Sequence, residues 1–490
     1  MTIRNAILAA SGLLPLLAAC AVGPDYARPS APVPARFKEA EGWKPADPQE
    51  PASGAPWWSV FDDPVLDGLE KRIDISNQTL KESEAAWRQA EAVADQARAG
   101  LFPTLGITGT AERSGGASSF GVGGAAGAGG TIAVPSSAAR GLNRFGASAS
   151  ASWDLDLWGK IRRTIESDVA TAQASEADLA GARLSAQATL ATDYFALRVA
   201  DDQDKLLADT IDAYRRSRDI TRNQYKSGVA AKADVITAET QLRGAESQRI
   251  ALGVQRAQSE HAIAALVGVP PADLTIEPAA LGDAVPVAPA GLASTLLERR
   301  PDIAGAERRM ASANAQIGVA IAAYFPDLTL SGSYGFSAGT LDNLFKASNA
   351  LWSFGGTLGE TVLDFGSRDA QVAQARAGWD EAVATYRETV LTAFQQTEDE
   401  LAALRILEHQ SGVQRDTVDL ANEAVRLTLN EYKAGTVAYT SVVTAQAIAL
   451  GDAQTLLSIK QSRLTAAVTL IQALGGGWNE SALRPGTAPP

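Results

Sequence analysis

The pattern of apolar and polar residues divides the chain into long helical segments and short alternating segments, and the arrangement occurs twice. Two runs without internal proline, from Lys160 to Lys226 and from Ser367 to Lys433, predict helices roughly 100 Å long at about 1.5 Å per residue. A shorter helix follows each run, to about Gly268 and to Leu474. In the second run apolar residues recur at coiled-coil spacings. They are Trp379, Val383, Tyr386, Val390, Phe394, Leu401 and Leu404.

Four short segments alternate between apolar residues and Ser, Thr or Gly, which predicts β-strands. They form two predicted hairpins, in residues 103–156 and 327–362. Such strands suit either half of a soluble sandwich or a membrane barrel. Their length fits the roughly 9–11 residues that a tilted membrane strand needs, and a face of small hydroxyls and glycine suits a wet lumen. We therefore expect them to span a membrane.

Four strands do not close a barrel by themselves. An open sheet edge in lipid would leave backbone amides without partners, and the smallest single-chain barrels have about eight strands. The strand count therefore predicts an oligomer. Closure by a dimer is possible in principle, whereas a trimer would supply twelve strands and leave an open pore.

The clearest duplicated stretch lies at the end of each long helix. The two copies share Asn, Tyr, Lys, Gly, Ala, Val, Thr and Ala at matching positions, and they comprise residues 223–238 and 430–445. Gly228 and Gly435 are predicted to turn left-handed where the helices end. Asp234 and Ser441 are predicted to cap the next helices by accepting from free N–H groups. Each copy is therefore a tight helical hairpin, and the pair indicates an internal duplication.

The duplication sets the predicted division of the chain. It comprises a signal peptide (1–19), an N-terminal tether (20–64), a first repeat (65–285), a second repeat (286–475) and a C-terminal tail (476–490). Each repeat contains a helix, a β-hairpin, a long helix and a returning helix. A long helix pair alone is not a stable domain, so we expect lateral packing against other copies.

The amino terminus reads as a secretory signal that ends in Leu-Ala-Ala-Cys at Cys20. This ending resembles the bacterial lipobox, which implies an N-acyl chain and a diacylglycerol on Cys20; no other cofactor is expected. An ordinary signal that happens to end near a cysteine is the alternative. Proline-rich residues 21–56 predict an extended tether. Because Cys20 is the chain's only cysteine, intrachain disulfides and thiolate metal clusters are excluded.

The composition and the motifs of the chain argue against several classes of function. The formal net charge of −13 over 490 residues argues against a nucleic-acid partner, which needs a basic surface. The two histidines, His261 and His409, lie in separate helical runs, so no metal site is predicted. A Gly-x-Ser-x-Gly segment around Ser337 resembles a nucleophile elbow, but a loop and a strand follow it instead of a helix. We therefore predict that the chain is not an enzyme.

Five motifs, in order along almost the whole mature chain, resemble the lipid-anchored outer-membrane factors of the NodT/OprM type, which belong to the TolC-like family. The motifs are Cys20-Ala-Val-Gly23-Pro24-Asp25-Tyr26-x-x-Pro29, Trp57-Trp58-x-x-Phe61-x-Asp63-Pro64, Arg299-Arg300-Pro301-Asp302-Ile303 with Ala306-Glu307-Arg308, Ala323-x-Phe325-Pro326, and Leu474-Gly475-Gly476-Gly477-Trp478.

The resemblance implies an α+β membrane protein and a TolC-like homotrimer. Four β-strands per chain would complete a twelve-stranded outer-membrane barrel, continued by a long periplasmic α-helical coiled-coil tunnel. The implied function is the outer-membrane channel of a tripartite efflux or export system. Its implied partners are a periplasmic adaptor and an inner-membrane pump of the resistance–nodulation–division class. The implied location is the bacterial outer membrane, with a lipid anchor and an extension into the periplasm. A passive porin and a lipid-anchored coiled-coil scaffold or adaptor are the alternatives.

In this family the second helical hairpin forms the periplasmic tip, where an aromatic, a basic and acidic residues close the pore. Tyr432 matches the aromatic residue, whereas Val437, Ser441 and Thr444 stand where the family pattern has Arg, Asp and Asp. Asp234 in the first repeat keeps its acid. We therefore expect a gate closed by packing and hydroxyl hydrogen bonds. A plain packing role for Tyr432 in the hairpin is the alternative.

Overall fold

The computed structural model describes residues 21–34, 36–39, 56–114, 142–282 and 299–483. Several predictions fall outside these residues. They concern the signal peptide with Cys20, residues 35 and 40–55 of the tether, the connection within the first hairpin, the start of the second repeat and the end of the C-terminal tail.

Asp63 and Asn77 set the helix starts at the beginning of the first repeat. The Asp63 carboxylate accepts from the N–H groups of Val65 and Leu66, ahead of a proline whose missing donor costs nothing there. Asn77 separates the first two helices and accepts from the N–H of Leu80 at 2.9 Å. The helices of the first repeat are α1 (Pro64–Ser76), α2 (Gln78–Ala99), α3 (Lys160–Lys226) and α4 (Lys232–Leu266).

The second repeat has the same long-helix architecture. Its described helices are α5 (Pro301–Ala322), α6 (Ser367–Lys433) and α7 (Tyr439–Ala473). The two long helices, α3 and α6, have 67 residues each, and their returning helices, α4 and α7, have 35 each. The long helices begin and end at the residues that the sequence pattern predicts.

By length and composition α7 is also apolar enough to cross a membrane. Its carboxyl-terminal half is nevertheless part of the protein core. Leu464 and Val468 pack in a cluster with residues of α1 and α3, whereas Leu470 packs with residues of α5 and α6. We therefore assign α7 to the helical body.

The helices form two four-helix layers that share α3 and α6. In the half next to the strands, the packing order is α2, α3, α5, α6; in the other half it is α4, α3, α7, α6. The predicted coiled-coil seam of α6 is confirmed, because its residues are buried against α5 and α7 and Trp379 packs at the edge of the same cluster.

The four predicted strands are present and form one antiparallel sheet in the order β1-β2-β3-β4. They are β1 (Thr104–Ser114), β2 (Leu142–Leu155), β3 (Asp327–Ala338) and β4 (Ala350–Gly359). The register places Leu105 opposite Ala151, then Gly332, then Phe354, so the apolar residues of all four strands share one face. Ser, Thr and Gly dominate the other face, as the alternation predicts.

The described residues 21–34 and 36–39 run along the helices and contain no helix. Arg163 of α3 donates to the carbonyls of Val22 and Gly23 and pairs with Asp25 at 2.9 Å. Further along, Tyr26 donates to the buried carboxylate of Glu307 at 2.5 Å. The described part of the predicted tether is therefore bound to the helical body.

Candidate functional site at the helical hairpins

The two duplicated hairpins form the end of the molecule opposite the sheet. Gly228 and Gly435 have φ values of +76° and +77°, which confirms the predicted left-handed turns. In each hairpin the backbone N–H of the glycine donates to the carbonyl of the tyrosine three residues before it, Tyr225 or Tyr432. The two turns are therefore built in the same way.

The predicted helix caps are wrong in position. The returning helices begin at Lys232 and Tyr439, so Asp234 and Ser441 lie in their first turns and not at the cap positions. The Asp234 carboxylate accepts from the N–H of Ala231, the residue before the helix, at 3.3 Å. No side-chain cap hydrogen bond forms at the start of α7. The sequence is compatible with the predicted helix start and with the observed one. The local turn geometry decides between them.

Tyr432 lies in an apolar cluster inside the second hairpin. Its ring centroid is 5.1 Å from that of Tyr439, and its hydroxyl donates to Thr221 Oγ1 of α3 at 3.3 Å. Tyr432 is 6% exposed and Tyr439 is 1% exposed. Ala238 and Val442 complete the buried part of the cluster, and Val437 packs against it. Residues of both repeats therefore meet around Tyr432.

Burial raises the pKa of both tyrosines. The pKa of Tyr439 rises to about 12, chiefly because its desolvated phenol resists ionisation, with a further contribution from neighbouring Tyr432. Desolvation is also the main cause of the raised pKa of Tyr432, and the Asp234 carboxylate adds to it. Both side chains therefore stay neutral at physiological pH and are available as hydrogen-bond donors.

Ser441 and Thr444 point away from this cluster. Both are exposed and line a shallow groove of about 410 Å³ between α6 and α7. The Thr444 hydroxyl donates to the carbonyl of Thr440 at 3.0 Å, within its own helix. Of the predicted site residues, Tyr432 is therefore buried, Val437 and Asp234 are partly buried, and Ser441 and Thr444 are exposed.

Tyr439 and Thr221 belong to the site but were not predicted from the sequence. The duplicated stretch contains a signal for each of these two residues. Thr221 stands four residues before Tyr225, as Thr428 does before Tyr432, and Tyr439 occupies the position of Lys232 in the first copy. A comparison of where the two copies differ would have identified Tyr439.

Known proteins give the family context of this geometry. A family model described as "Outer membrane efflux protein" matches residues 71–269 and 292–476. The chain belongs to the outer membrane efflux protein family. The two matched segments correspond to the two structural repeats, and the gap between them contains the residues from 283 to 291 that lie outside the described structure.

Similar family members cover nearly the whole chain. The toluene efflux pump outer membrane protein TtgC of Pseudomonas putida is 31% identical over 95% of this chain and 94% of its own length. The pyoverdine export outer membrane protein OpmQ of Pseudomonas aeruginosa is 30% identical over 98% of both chains. Among solved structures, the outer-membrane channel OprN is 29% identical with a TM-score of 0.83, over 94% of this chain and 100% of OprN.

Family membership confirms the predicted channel function and the predicted outer-membrane location. The chain is the outer-membrane channel component of an efflux system. The predicted α+β architecture, with a small antiparallel sheet and a long helical body that extends into the periplasm, is confirmed as well. The hairpins lie at the end of this helical body opposite the sheet.

Proposed function

We propose that three copies of this chain form the exit duct of a tripartite efflux system. In this duct, twelve strands cross the outer membrane and twelve helices surround a periplasmic tunnel. Cargo enters from an inner-membrane pump of the resistance–nodulation–division class through a periplasmic adaptor that docks at the hairpins. The duct itself catalyses no reaction.

The observation that carries this proposal is an apolar stripe on α6. Residues at a spacing of seven form it, and all are about half exposed or more: Ile406, Val413, Leu420 and Leu427. The corresponding residues of α3 are buried or half-buried within the subunit: Val199, Leu206, Ala213 and Ile220. A heptad stripe of this kind forms the contact surface of a coiled coil.

The packing order identifies what covers the stripe. In the half that contains the hairpins, α4 and α6 are the outermost helices, and α3 and α7 are the inner pair. On α4, Ile236 and Ile250 are 57% and 78% exposed. Closing a ring brings α6 of one copy against α4 of the next, so both apolar surfaces become buried together.

Oligomerisation is tested by adding a charge to the stripe. Leu420 is 72% exposed in the single subunit, and we expect Leu420→Glu to abolish the trimer because three glutamates would enter a buried contact. Asn422→Glu is the matched control, since residues two apart on a helix face different directions. Native mass spectrometry of the purified protein measures the outcome. A trimer of normal stability in Leu420→Glu would contradict the proposal.

We further propose that Cys20 carries the lipid anchor. Ala21 packs against Gly159, which precedes α3 directly below the sheet, and the N–H of Val22 donates to the carbonyl of Trp158 at 3.0 Å. Ala21 therefore lies at the junction of sheet and helices, where the membrane surface would lie in the proposed duct. At this junction Phe102 and Phe365 are 61% and 92% exposed, which suits an apolar interface.

Acylation is tested by metabolic labelling. We expect radiolabelled palmitate to enter the wild-type protein and not Cys20→Ser. Label of equal intensity in Cys20→Ser would exclude this anchor, while the amount of protein in the membrane fraction separates loss of acylation from loss of the protein.

We propose that the second hairpin is the periplasmic closure. Tyr432 and Val437 would hold the hairpin in place through the buried cluster. Ser441, Thr444 and Asp234 would provide hydroxyl and carboxylate groups around it, in place of a cluster of opposite charges. The resting conductance of Tyr432→Ala in a planar bilayer tests this closure.

The cargo follows from the pump and not from the duct. TtgC and OpmQ are named for toluene and pyoverdine, which are unlike each other in size and polarity, and yet their identities to this chain are nearly equal. Deletion of the gene, followed by a susceptibility panel of dyes, antibiotics, solvents and metal salts, tests efflux directly. We expect increased susceptibility to small organic compounds. An unchanged panel, together with ion conductance from the purified trimer, would favour a passive porin.

A further inference from the structure

The apolar face of the sheet has the height of a membrane's apolar layer and ends in a polar row. Its rows run from Leu328, which pairs with Leu155 and Leu358, to Ala338, which pairs with Phe145. The ten steps from residue 328 to residue 338, at about 3.4 Å each and tilted by about 35–45°, rise roughly 24–28 Å. The outward apolar band of a membrane barrel is about 25 Å tall. The next position on this face therefore lies at the level of the lipid headgroups.

That position on β1 holds Arg113, which is exposed and lies opposite Asn143 of β2. The helical body joins the other end of the strands, so this row is on the extracellular side. One residue below, on the polar face, Arg144 is opposite the carboxylate of Glu112. The arginine of the apolar face has only an amide opposite it. Within the described ranges Arg113 makes no ion pair.

The connection between β3 and β4 supplies a second base at the same end of the sheet. It folds onto the apolar face, because the ring centroid of Phe345 is 5.4 Å from that of Phe336. Phe345 is 71% exposed, and Leu341 in the same connection is 64% exposed. The next residue, Lys346, is exposed as well. Asp342 is the one carboxylate of this connection, and no ion pair joins it to Lys346 in the described part of the chain.

Basic residues at the opposite end of the sheet are already neutralised within the chain. Three bases near the periplasmic end of the strands each form an ion pair with a carboxylate. The pairs are Lys160 with Asp327, Arg162 with Asp156, and Arg368 with Asp364. The charges of Arg113 and Lys346 are therefore available to an anion from outside the chain.

We propose that Arg113 and Lys346 bind the phosphates of a glycolipid of the lipid A type in the outer leaflet. An arginine fork matches the geometry of a phosphate group, and a lysine adds a point charge on a flexible stem. The acyl chains of the same lipid would lie against Phe345 and Leu341, below the two bases. The site depends on the proposed passage of the strands through the outer membrane and adds the lipid that borders them.

Titration of the purified full-length trimer with lipid A, followed by native mass spectrometry, tests the site. We expect the apparent Kd to rise about fivefold in Arg113→Gln, about fivefold in Lys346→Gln, and by both factors in the double variant. Arg144→Gln is the matched control. It removes an arginine next to Asn143 but on the opposite face of the sheet, so it should keep the wild-type Kd.

Two other lipids test the chemistry of the ligand. Lipid A without its phosphates should bind the wild type several-fold more weakly and should not distinguish the variants. Phosphatidylglycerol should also bind more weakly, because its single phosphate cannot engage both bases. Equal binding of either lipid would overturn the assignment to a phosphorylated glycolipid.

The variants separate failure of the site from failure of the channel. An unchanged Kd in the double variant, or an equal loss in Arg144→Gln, would overturn the site. Lys346→Gln changes an exposed connection and keeps the test decisive if Arg113→Gln does not fold. A wild-type trimer with normal conductance leaves the proposed function intact in each of these cases, whereas a wild type that forms no trimer would refute that function.

Discussion

Tyr432 and Tyr225 occupy the same position in the two helical hairpins, yet Tyr432 is 6% exposed and Tyr225 is 44% exposed. Both lie three residues before a left-handed glycine, and both are the penultimate residue of a 67-residue helix. The difference lies in the neighbours. Tyr432 packs on Tyr439, whereas the corresponding residue of the first hairpin is the exposed Lys232. The duplicated turn therefore gives both hairpins the same backbone conformation. A few substituted neighbours determine whether the tyrosine is buried or exposed.

The largest expected difference between the hairpins follows from removing the rings. Tyr432→Ala should destabilise the second hairpin by about 3 kcal/mol, because a large buried aromatic side chain is lost. Tyr225→Ala should change the first by less than about 1 kcal/mol. Hydrogen exchange of the hairpin amides measures the loss of stability in both variants.

The same variant tests the proposed closure. Resting conductance in a planar bilayer should rise in Tyr432→Ala and stay at the wild-type level in Tyr225→Ala. A destabilised hairpin with unchanged conductance would leave Tyr432 with a packing role alone.

Alkaline pH should weaken the second hairpin through its buried tyrosines. The pKa of Tyr439 rises from about 10 to about 12, so the folded state keeps its proton when the unfolded state has lost it. The contribution to stability is complete below about pH 10 and decreases by about 1.4 kcal/mol per pH unit up to about pH 12. Tyr439→Phe should reduce the pH dependence of the unfolding free energy by this contribution, measured by urea unfolding at pH 9 and 11.5. Tyr225→Phe is the matched control, and an equal effect in it would contradict the assignment to Tyr439.

The two turns should respond alike to a change in their glycines. Gly228→Ala and Gly435→Ala each place a Cβ at a φ near +77°, with no atom within 4 Å of the new carbon. The cost is therefore backbone strain alone, about 1 kcal/mol in each. Thermal unfolding of the two variants should give equal losses. Unequal losses would show that the surroundings contribute to the turns as well.

The smallest expected difference concerns the first turns of the returning helices. Asp234 accepts from the N–H of Ala231 and lies near a helix amino terminus, so Asp234→Ala should cost about 0.5–1 kcal/mol. Ser441→Ala should cost only a few tenths, because no side-chain cap bond forms at the start of α7. The hydrogen-exchange rates of the amides in the first turns of α4 and α7 measure the effects of the two substitutions. Equal rates would mean that the carboxylate contributes nothing to the cap.

The pattern of apolar and polar residues predicted the helices and strands well where it was long and regular. The long helices begin and end where proline-free runs do, because many residues of consistent periodicity outweigh any single exception. The strands were predicted because their alternation matches the pleat. The helix caps were placed wrongly, since Asp and Ser are acceptable both at a cap and in the first turn, and only the backbone path distinguishes the two.

The sequence by itself determined the duplication, the helix and strand periods, the hairpin turns and the need for other copies, because each depends on residues close together in the chain or on a strand count. The tertiary structure decided what no single stretch encodes. It buried Tyr432 against α3 and α7 while leaving Tyr225 exposed, and it paired β2 of one repeat with β3 of the other in a definite register. The physical reason is that burial and register across repeats depend on which surfaces meet, and segments far apart in the sequence supply those surfaces.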